Sequence, residues 1–70
     1  MNGQYRNEIK IGCLVEIVEK ENQLTGKLTK GEVSRCLTKK VFHSRGIKVQ
    51  LKTGEIGRVQ KILYNQLRYK

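Results

Sequence analysis

The sequence predicts an all-β fold built from short strands. Apolar and polar residues alternate from position 47 to 52, with Ile47, Val49 and Leu51 on one parity. A period of two is the pattern of a half-buried strand. Glycine or polar turn residues bound each apolar segment. No window longer than about ten residues combines apolar positions at helical spacing with helix start and stop signals. The chain is therefore assigned to the β class.

The first two predicted strands are residues 13–20 and 31–38. The first alternates β-branched apolar residues with glutamate around positions 15–17. In the second, the alternation slips between Val33 and Cys36, which predicts a bulge or a strong bend.

The third and fourth predicted strands, residues 47–51 and 56–63, form a hairpin. They are joined around Thr53 and Gly54. Two connecting residues with glycine second are typical of a tight turn between antiparallel strands. The hairpin is the most clearly patterned part of the chain.

Four or five short strands form too little sheet to lie open, and closure into a barrel removes exposed edges. We expect one domain over residues 1–70, an SH3-like five-stranded barrel. An OB-like barrel is the alternative, although it usually needs more residues. Residues 1–11, as a leader, and 64–70, as a tail, are expected to be mobile. The predicted core is Val15, Ile17, Val33, Leu37, Ile47, Val49, Leu51, Val59 and Ile62.

Positive charge is concentrated in one half of the chain. Fifteen Lys and Arg against six Glu give a net charge of +9. Residues 1–35 hold six basic and five acidic residues, a net of +1, whereas residues 36–70 hold nine and one, a net of +8. This asymmetry predicts a basic surface for an anionic partner. A membrane is disfavoured as that partner because no amphipathic basic helix is visible.

The two cysteines predict neither a metal site nor a disulfide. Cys13 and Cys36 form no CxxC pair and have no clustered histidines. The sequence shows no signal peptide and no apolar run of about 20 residues. We expect a cytoplasmic protein with reduced, buried thiols and without a cofactor.

Catalytic residues are scarce. His43 is the single histidine, aspartate is absent, and the serines are Ser34 and Ser44. Ser44 directly follows His43 and cannot face it productively in an extended loop. The sequence therefore predicts a protein that is not an enzyme.

Basic residues of the hairpin and of two polar loops, residues 21–30 and 39–46, are the candidate binding site. On the third strand Lys48, Gln50 and Lys52 point outward, about 6–7 Å apart, near the phosphate spacing of a single strand. The predicted nucleic-acid contacts are Lys27, Lys30, Lys39, Lys40, Arg45, Lys48, Lys52, Arg58 and Lys61.

Three further expectations concern this candidate binding site. Gly57 is expected to leave open space for a ligand beside Arg58. Charge reversal at Lys48, Lys52 and Arg58 together should abolish binding, whereas Lys10 and Lys20 should matter far less. The aromatic residues are few, so recognition of the backbone is favoured over reading of base sequence. The aromatic side chains that could stack on a base are Tyr5, Phe42, Tyr64 and Tyr69.

The loop at residues 21–30 lacks the spacing of a phosphate-binding P-loop, because Leu28 follows Gly26-Lys27. Its threonines and lysines nevertheless suit phosphate oxygens. The alternative interpretation is that this loop is a solvated connector whose Leu24 and Leu28 plug one end of the barrel.

Beyond these patterns, the chain resembles the YwbE family of short bacterial proteins over roughly residues 1–63. The stretches that carry the resemblance are "LTGKLTKG" at 24–31, "HSRGIKV" at 43–49 and "GRVQ" at 57–60. The family has no established function, so the resemblance implies no activity.

A broader resemblance is to KOW-like and other SH3-like barrels of translation and transcription proteins. It depends on the strand from Gly12 to Val18 and on the "G–x–V" at Gly31 to Val33. The long Thr- and Lys-rich first loop departs from the KOW pattern. The resemblance implies RNA or ribosome binding by analogy of fold alone.

Charge and resemblance together predict a non-catalytic nucleic-acid-binding module that contacts phosphates. RNA is favoured over DNA, and the ribosome is a possible partner. The alternative is an adaptor that binds an acidic protein or peptide through the barrel groove or a strand edge. We expect a monomer that does not bind membranes.

Overall fold

The computed structural model describes residues 3–64 of the 70-residue chain. Four strands follow one another: β1 (Leu14–Glu19), β2 (Leu28–Cys36), β3 (Lys48–Leu51) and β4 (Ile56–Tyr64). Single 3-10 turns lie at Arg6–Glu8 and Lys20–Asn22. No helix within this part of the chain is long and apolar enough to cross a membrane.

The four strands close into an antiparallel barrel. β1 pairs with β2, β2 with β3 and β3 with β4, and β4 returns to pair with β1. The predictions of an all-β fold and of a barrel are confirmed. The predicted fifth strand is not found among residues 3–64, where an isolated bridge between Tyr5 and Phe42 is the only further pairing.

The core lies inside this ring and follows the predicted alternation. Among the residues whose burial the structure describes, 3–63, nine apolar ones are buried: Ile9, Cys13, Val15, Ile17, Val33, Ile47, Val49, Leu51 and Val59. Ile62, which was placed in the core, is half-buried and packs against it. Leu37 was wrongly placed there: it is half-buried just beyond the end of β2. Ile9 was missed because it precedes β1, outside any alternating run. Cys13 was expected to be buried and has the same parity as Val15, but it was not counted in the predicted core.

All four strands have bounds that differ from the predicted ones. β2 begins at Leu28, which pairs with Val18 of β1, so the connection between these strands is shorter than the predicted loop at residues 21–30. The hairpin of β3 and β4 is confirmed, but its turn spans residues 52–55, with Gly54 at φ +106°. The predicted irregularity of β2 is confirmed by a register shift between Val33 and Arg35 against β3.

The chain before β1 is bonded to the segment between β2 and β3. The Ile47 amide donates to the Gly3 carbonyl at 2.8 Å, and the His43 amide donates to the Gln4 carbonyl at 2.9 Å. Residues 3–9 thus lie against residues 41–47 and bring Ile9 into the core. Residues 65–70 of the predicted tail lie outside the described residues.

Candidate nucleic-acid interface

Arg58 is at the centre of the candidate interface. It lies on β4 between two neighbours, with Lys48 of β3 opposite on one side and Val18 of β1 on the other. The side chain is half-buried, and its Nη1 donates to the Gly46 carbonyl at 3.1 Å. A guanidinium has five N–H donors, so this bond fixes the group and leaves donors for a ligand.

The segment between β2 and β3 is held beside Arg58 by its backbone. The Gln60 side-chain amide donates to the Arg45 carbonyl at 3.0 Å, and the Gly46 amide donates to the His43 carbonyl at 3.0 Å. Gly46 has φ +104°, and a Cβ there would overlap the Val59 carbonyl oxygen. The glycine therefore allows the segment to press onto β4, which places Arg45 next to Arg58.

A groove of about 820 Å³ runs beneath these cations. Arg45, Lys48 and Arg58 line it, whereas Glu19 and Glu21 contribute carboxylates to its lining. Its other lining residues are Val18, Lys20, Gln23, His43, Ile56 and Gly57.

A second hollow of about 450 Å³ adjoins this groove and shares four lining residues with it: Val18, Gln23, Arg45 and Arg58. The hollow has no carboxylate in its lining. The two spaces therefore share part of their lining, and both arginines lie in that shared part.

The pKa of His43 reflects the electrostatic potential around the groove. Loss of solvation lowers the pKa of His43, and the positive charges of Arg58, Lys40 and Arg45 lower it further. Its Nδ1 accepts a hydrogen bond from the Arg45 amide at 3.1 Å, which requires that nitrogen to be unprotonated. The cations around the groove thus disfavour another positive charge and favour an anion.

The predicted contacts divide between this groove and other places. Arg45, Lys48 and Arg58 come together, and the charge of Lys40 acts on His43. Lys52 lies at the turn, with its Nζ 3.3 Å from the Glu32 carboxylate, the one ion pair within residues 3–64. The four remaining predicted contacts are exposed and lie outside the groove. They are Lys27 and Lys39 on connecting segments, and Lys30 and Lys61 on strands, where both lie opposite Glu16 of β1.

Two expectations about this region are wrong. Gly57 does not leave open space, because a Cβ there would overlap the Val18 carbonyl oxygen of the neighbouring strand. Leu24 and Leu28 do not plug the barrel: Leu24 is fully exposed, and Leu28 is 43% exposed. Lys20 was expected to matter far less for binding, and that expectation stays a prediction, although Lys20 lines the groove because the chain turns there at the end of β1.

The two aromatic residues whose side chains the structure describes lie away from the groove. The rings of Tyr5 and Phe42 pack against each other with centroids 4.9 Å apart, and each residue is 44% exposed. Neither residue lines the groove or the hollow. The side chains of Tyr64 and Tyr69 lie outside the described residues.

The thiols show no sign of activation. Cys13 is buried and Cys36 half-buried, and burial raises the pKa of both. A raised pKa keeps a thiol protonated and poorly nucleophilic. Among residues 3–64 no three His, Cys, Asp or Glu side chains cluster as metal ligands would.

Comparison with known proteins gives a family and a close relative. A family model described as "Uncharacterized conserved protein (DUF2196)" matches residues 2–62. The chain is 57% identical over 63 residues to "Uncharacterized protein YwbE" of Bacillus subtilis (strain 168). That alignment covers 90% of this chain and 97% of the relative. No solved structure matches the chain.

Proposed function

The chain belongs to the DUF2196 family, whose description carries no activity, and we propose from its surface chemistry that it is a non-catalytic module that binds RNA through phosphate contacts. The single observation that carries the proposal is the convergence of Arg45, Lys48 and Arg58 on one groove. None of the three forms an ion pair with a carboxylate of the described residues. Unpaired cations in a concave surface attract phosphates and hold them without reading sequence.

The shape of the groove favours RNA over duplex DNA as the ligand. A rigid duplex presents its phosphates on a convex surface, whereas a single strand can bend into a concave groove. Arginine and lysine contacts to such a strand depend on charge and position rather than on base identity. The module is proposed to act by holding RNA or a ribosomal surface rather than by catalysing a reaction.

We also propose that the barrel is of the SH3-like kind. Within residues 3–64 four strands close into a barrel, and residues 3–5 run beside the segment at 41–47 with a bridge from Tyr5 to Phe42. This N-terminal segment would take the place of the fifth strand. The assignment supports RNA binding by analogy only, because one fold serves many functions.

The test is binding of a labelled single-stranded RNA to the full chain, followed by fluorescence anisotropy. Reversing two exposed groove charges, Arg45→Glu with Lys48→Glu, should lower the affinity at least tenfold. The matched control, Lys10→Glu with Lys61→Glu, changes the net charge equally but affects exposed residues outside the groove. Arg58 is left intact because its bond to Gly46 also supports the fold.

Salt dependence separates phosphate contact from other modes. For a single strand, the logarithm of the affinity should fall by about 0.7 per phosphate contact for each tenfold rise in salt. Equal loss in both double variants would point to net charge rather than to the groove. Absence of binding by the unaltered protein, together with capture of an acidic peptide, would favour the adaptor and overturn the proposal.

A further inference from the structure

We infer that the 450 Å³ hollow beside Arg58 holds one unpaired base of a single-stranded RNA, while the adjoining phosphate contacts Arg45 and Arg58. This inference rests on the proposed function and deepens it. It makes the ligand single-stranded, because a base inside a duplex is not free to enter a hollow.

The hollow has the chemistry of a base site. Three of its lining residues are apolar: Val18 on β1, Leu28 at the start of β2 and Leu24 in the connection between them. Leu24 is 102% exposed, and Leu28 is 43% exposed. A fully exposed leucine at the rim of a basic groove has no role in the core, and it gains stability by covering the apolar face of a ligand.

The hollow also has polar groups that suit the polar edge of a base. Gln23 and Gln60 line it together with Arg45 and Arg58. The Gln60 amide nitrogen is bonded to the Arg45 carbonyl at 3.0 Å, which fixes the side chain beside the arginines. Amide and guanidinium groups form hydrogen bonds with base edges, and a guanidinium also stacks on a base.

The positions of the charged residues indicate that the base and the phosphate bind to different parts of the site. Glu19 and Glu21 line the larger groove but not the hollow, and because carboxylates repel phosphate, the phosphate is expected at the end of the groove that adjoins the hollow. Arg45 and Arg58 line both spaces, so a phosphate bound to them would have its base within reach of the hollow. The volume lies at the lower end of the range of about 300–1,000 Å³ typical of small-ligand sites.

The test compares two probes of equal charge: an oligouridylate of about ten nucleotides and an abasic ribose-phosphate strand of the same length. Both present the same phosphates, so their electrostatic attraction is the same. The inference predicts that the oligouridylate binds about fivefold more tightly. Leu24→Ser should remove this difference while leaving the affinity for the abasic strand unchanged, and full exposure of Leu24 means that the fold should tolerate the change.

The control variant is Ile11→Ser. Ile11 is an isomer of leucine, is 59% exposed, and lines a separate hollow that shares no lining residue with the groove. Ile11→Ser should retain the preference for the oligouridylate. Loss of that preference in the control would show a general effect of surface hydrophobicity and would overturn the inference.

The remaining outcomes distinguish this inference from the proposed function. Equal, salt-sensitive binding of both strands would overturn the base site and leave phosphate binding standing. No binding of either strand would overturn both. Binding of a peptide of alternating Glu and Leu, sensitive to Leu24→Ser, with no binding of oligouridylate would identify a protein segment as the occupant and would also overturn both.

Discussion

At the scale of single residues, two glycines with the same backbone requirement have different surroundings. Gly26 and Gly46 have φ +75° and +104°, in the region that disfavours side chains. A Cβ on Gly26 would meet no atom within 4 Å, whereas one on Gly46 would overlap the Val59 carbonyl oxygen. Comparing a side chain at the two positions therefore separates the free-energy cost of the backbone conformation from the cost of the overlap with neighbouring atoms.

We expect Gly26→Ala to lower the free energy of unfolding by about 1 kcal/mol, the cost of the left-handed conformation alone. Gly46→Ala should cost about 3 kcal/mol or more, because the segment at 41–47 must also move away from β4. Urea unfolding followed by circular dichroism measures both variants. Equal losses would show that the segment is not pressed against β4.

His43 gives a residue-scale dependence on pH. Its pKa is lowered in the folded protein, so the unfolded chain binds the proton more readily. The free energy of unfolding should therefore decrease as the pH falls through the unfolded value near 6.5, and this decrease should end below the lowered folded pKa. His43→Asn should remove this step.

Urea midpoints between about pH 7.5 and 5.5 check this step. The titration of Glu55 does not interfere: the hydrogen bond from the Thr53 hydroxyl lowers its pKa, so its contribution is lost only as the pH falls below the ordinary carboxyl range. An unchanged pH profile in His43→Asn would contradict the positive potential inferred around the groove.

At the scale of elements, sequence alternation predicted which face of β3 is buried but not which strands meet. Val49 and Leu51 are buried as predicted because a period of two is a local property of the strand. The pairing of Arg58 with Val18 depends on the closure of β4 onto β1, which no local pattern encodes. For this reason the sequence suggested the cations of the groove but not its apolar residues.

A bulge in β4 explains why Val59 and Ile62, an odd number of residues apart, both face the core. Val59 lies opposite Ile17 and Lys61 opposite Glu16, so Gln60 is an extra residue on β4 at this register shift. The extra residue reverses the alternation of the side chains that follow it, so Ile62 faces inward like Val59. It keeps Lys61 pointing outward, next to Glu16 rather than in the groove.

The hairpin itself provides a matched pair of lysines. Lys48 is the first residue of β3, whereas Lys52 lies in the turn that follows this strand. Lys48 lines the groove, whereas the Lys52 ammonium pairs with the Glu32 carboxylate. Both side chains are exposed, so neither change to glutamine should disturb the core.

Lys48→Gln should weaken RNA binding and reduce the slope of affinity against salt by about 0.7, the value for one lost phosphate contact on a single strand. Lys52→Gln should leave the affinity and the slope unchanged, and removal of its exposed ion pair should cost less than about 1 kcal/mol of stability. Anisotropy titrations at several salt concentrations compare the two variants. Equal effects of the two changes on affinity would mean that the whole exposed face of the hairpin binds RNA, as the sequence alone suggested.

At the scale of the whole molecule, the net charge of +9 acts on stability and on binding in opposite directions. Like charges repel one another in the compact state, and within residues 3–64 a single ion pair offsets that repulsion. Salt screens the repulsion between exposed charges and should stabilise the free barrel. The same salt weakens phosphate contacts and should destabilise an RNA complex.

We therefore expect the two melting temperatures to converge as salt rises from about 50 mM to 200 mM. The free protein should gain a few degrees, since about 1 kcal/mol shifts the Tm of a domain this small by roughly 4–8 °C. With excess oligouridylate the Tm should start higher, because a ligand that binds only the folded state stabilises it, and should then fall as the affinity falls. Differential scanning fluorimetry follows both curves in one experiment. Parallel rises with salt in the presence and absence of RNA would mean that the cations contribute to repulsion within the barrel but not to a complex.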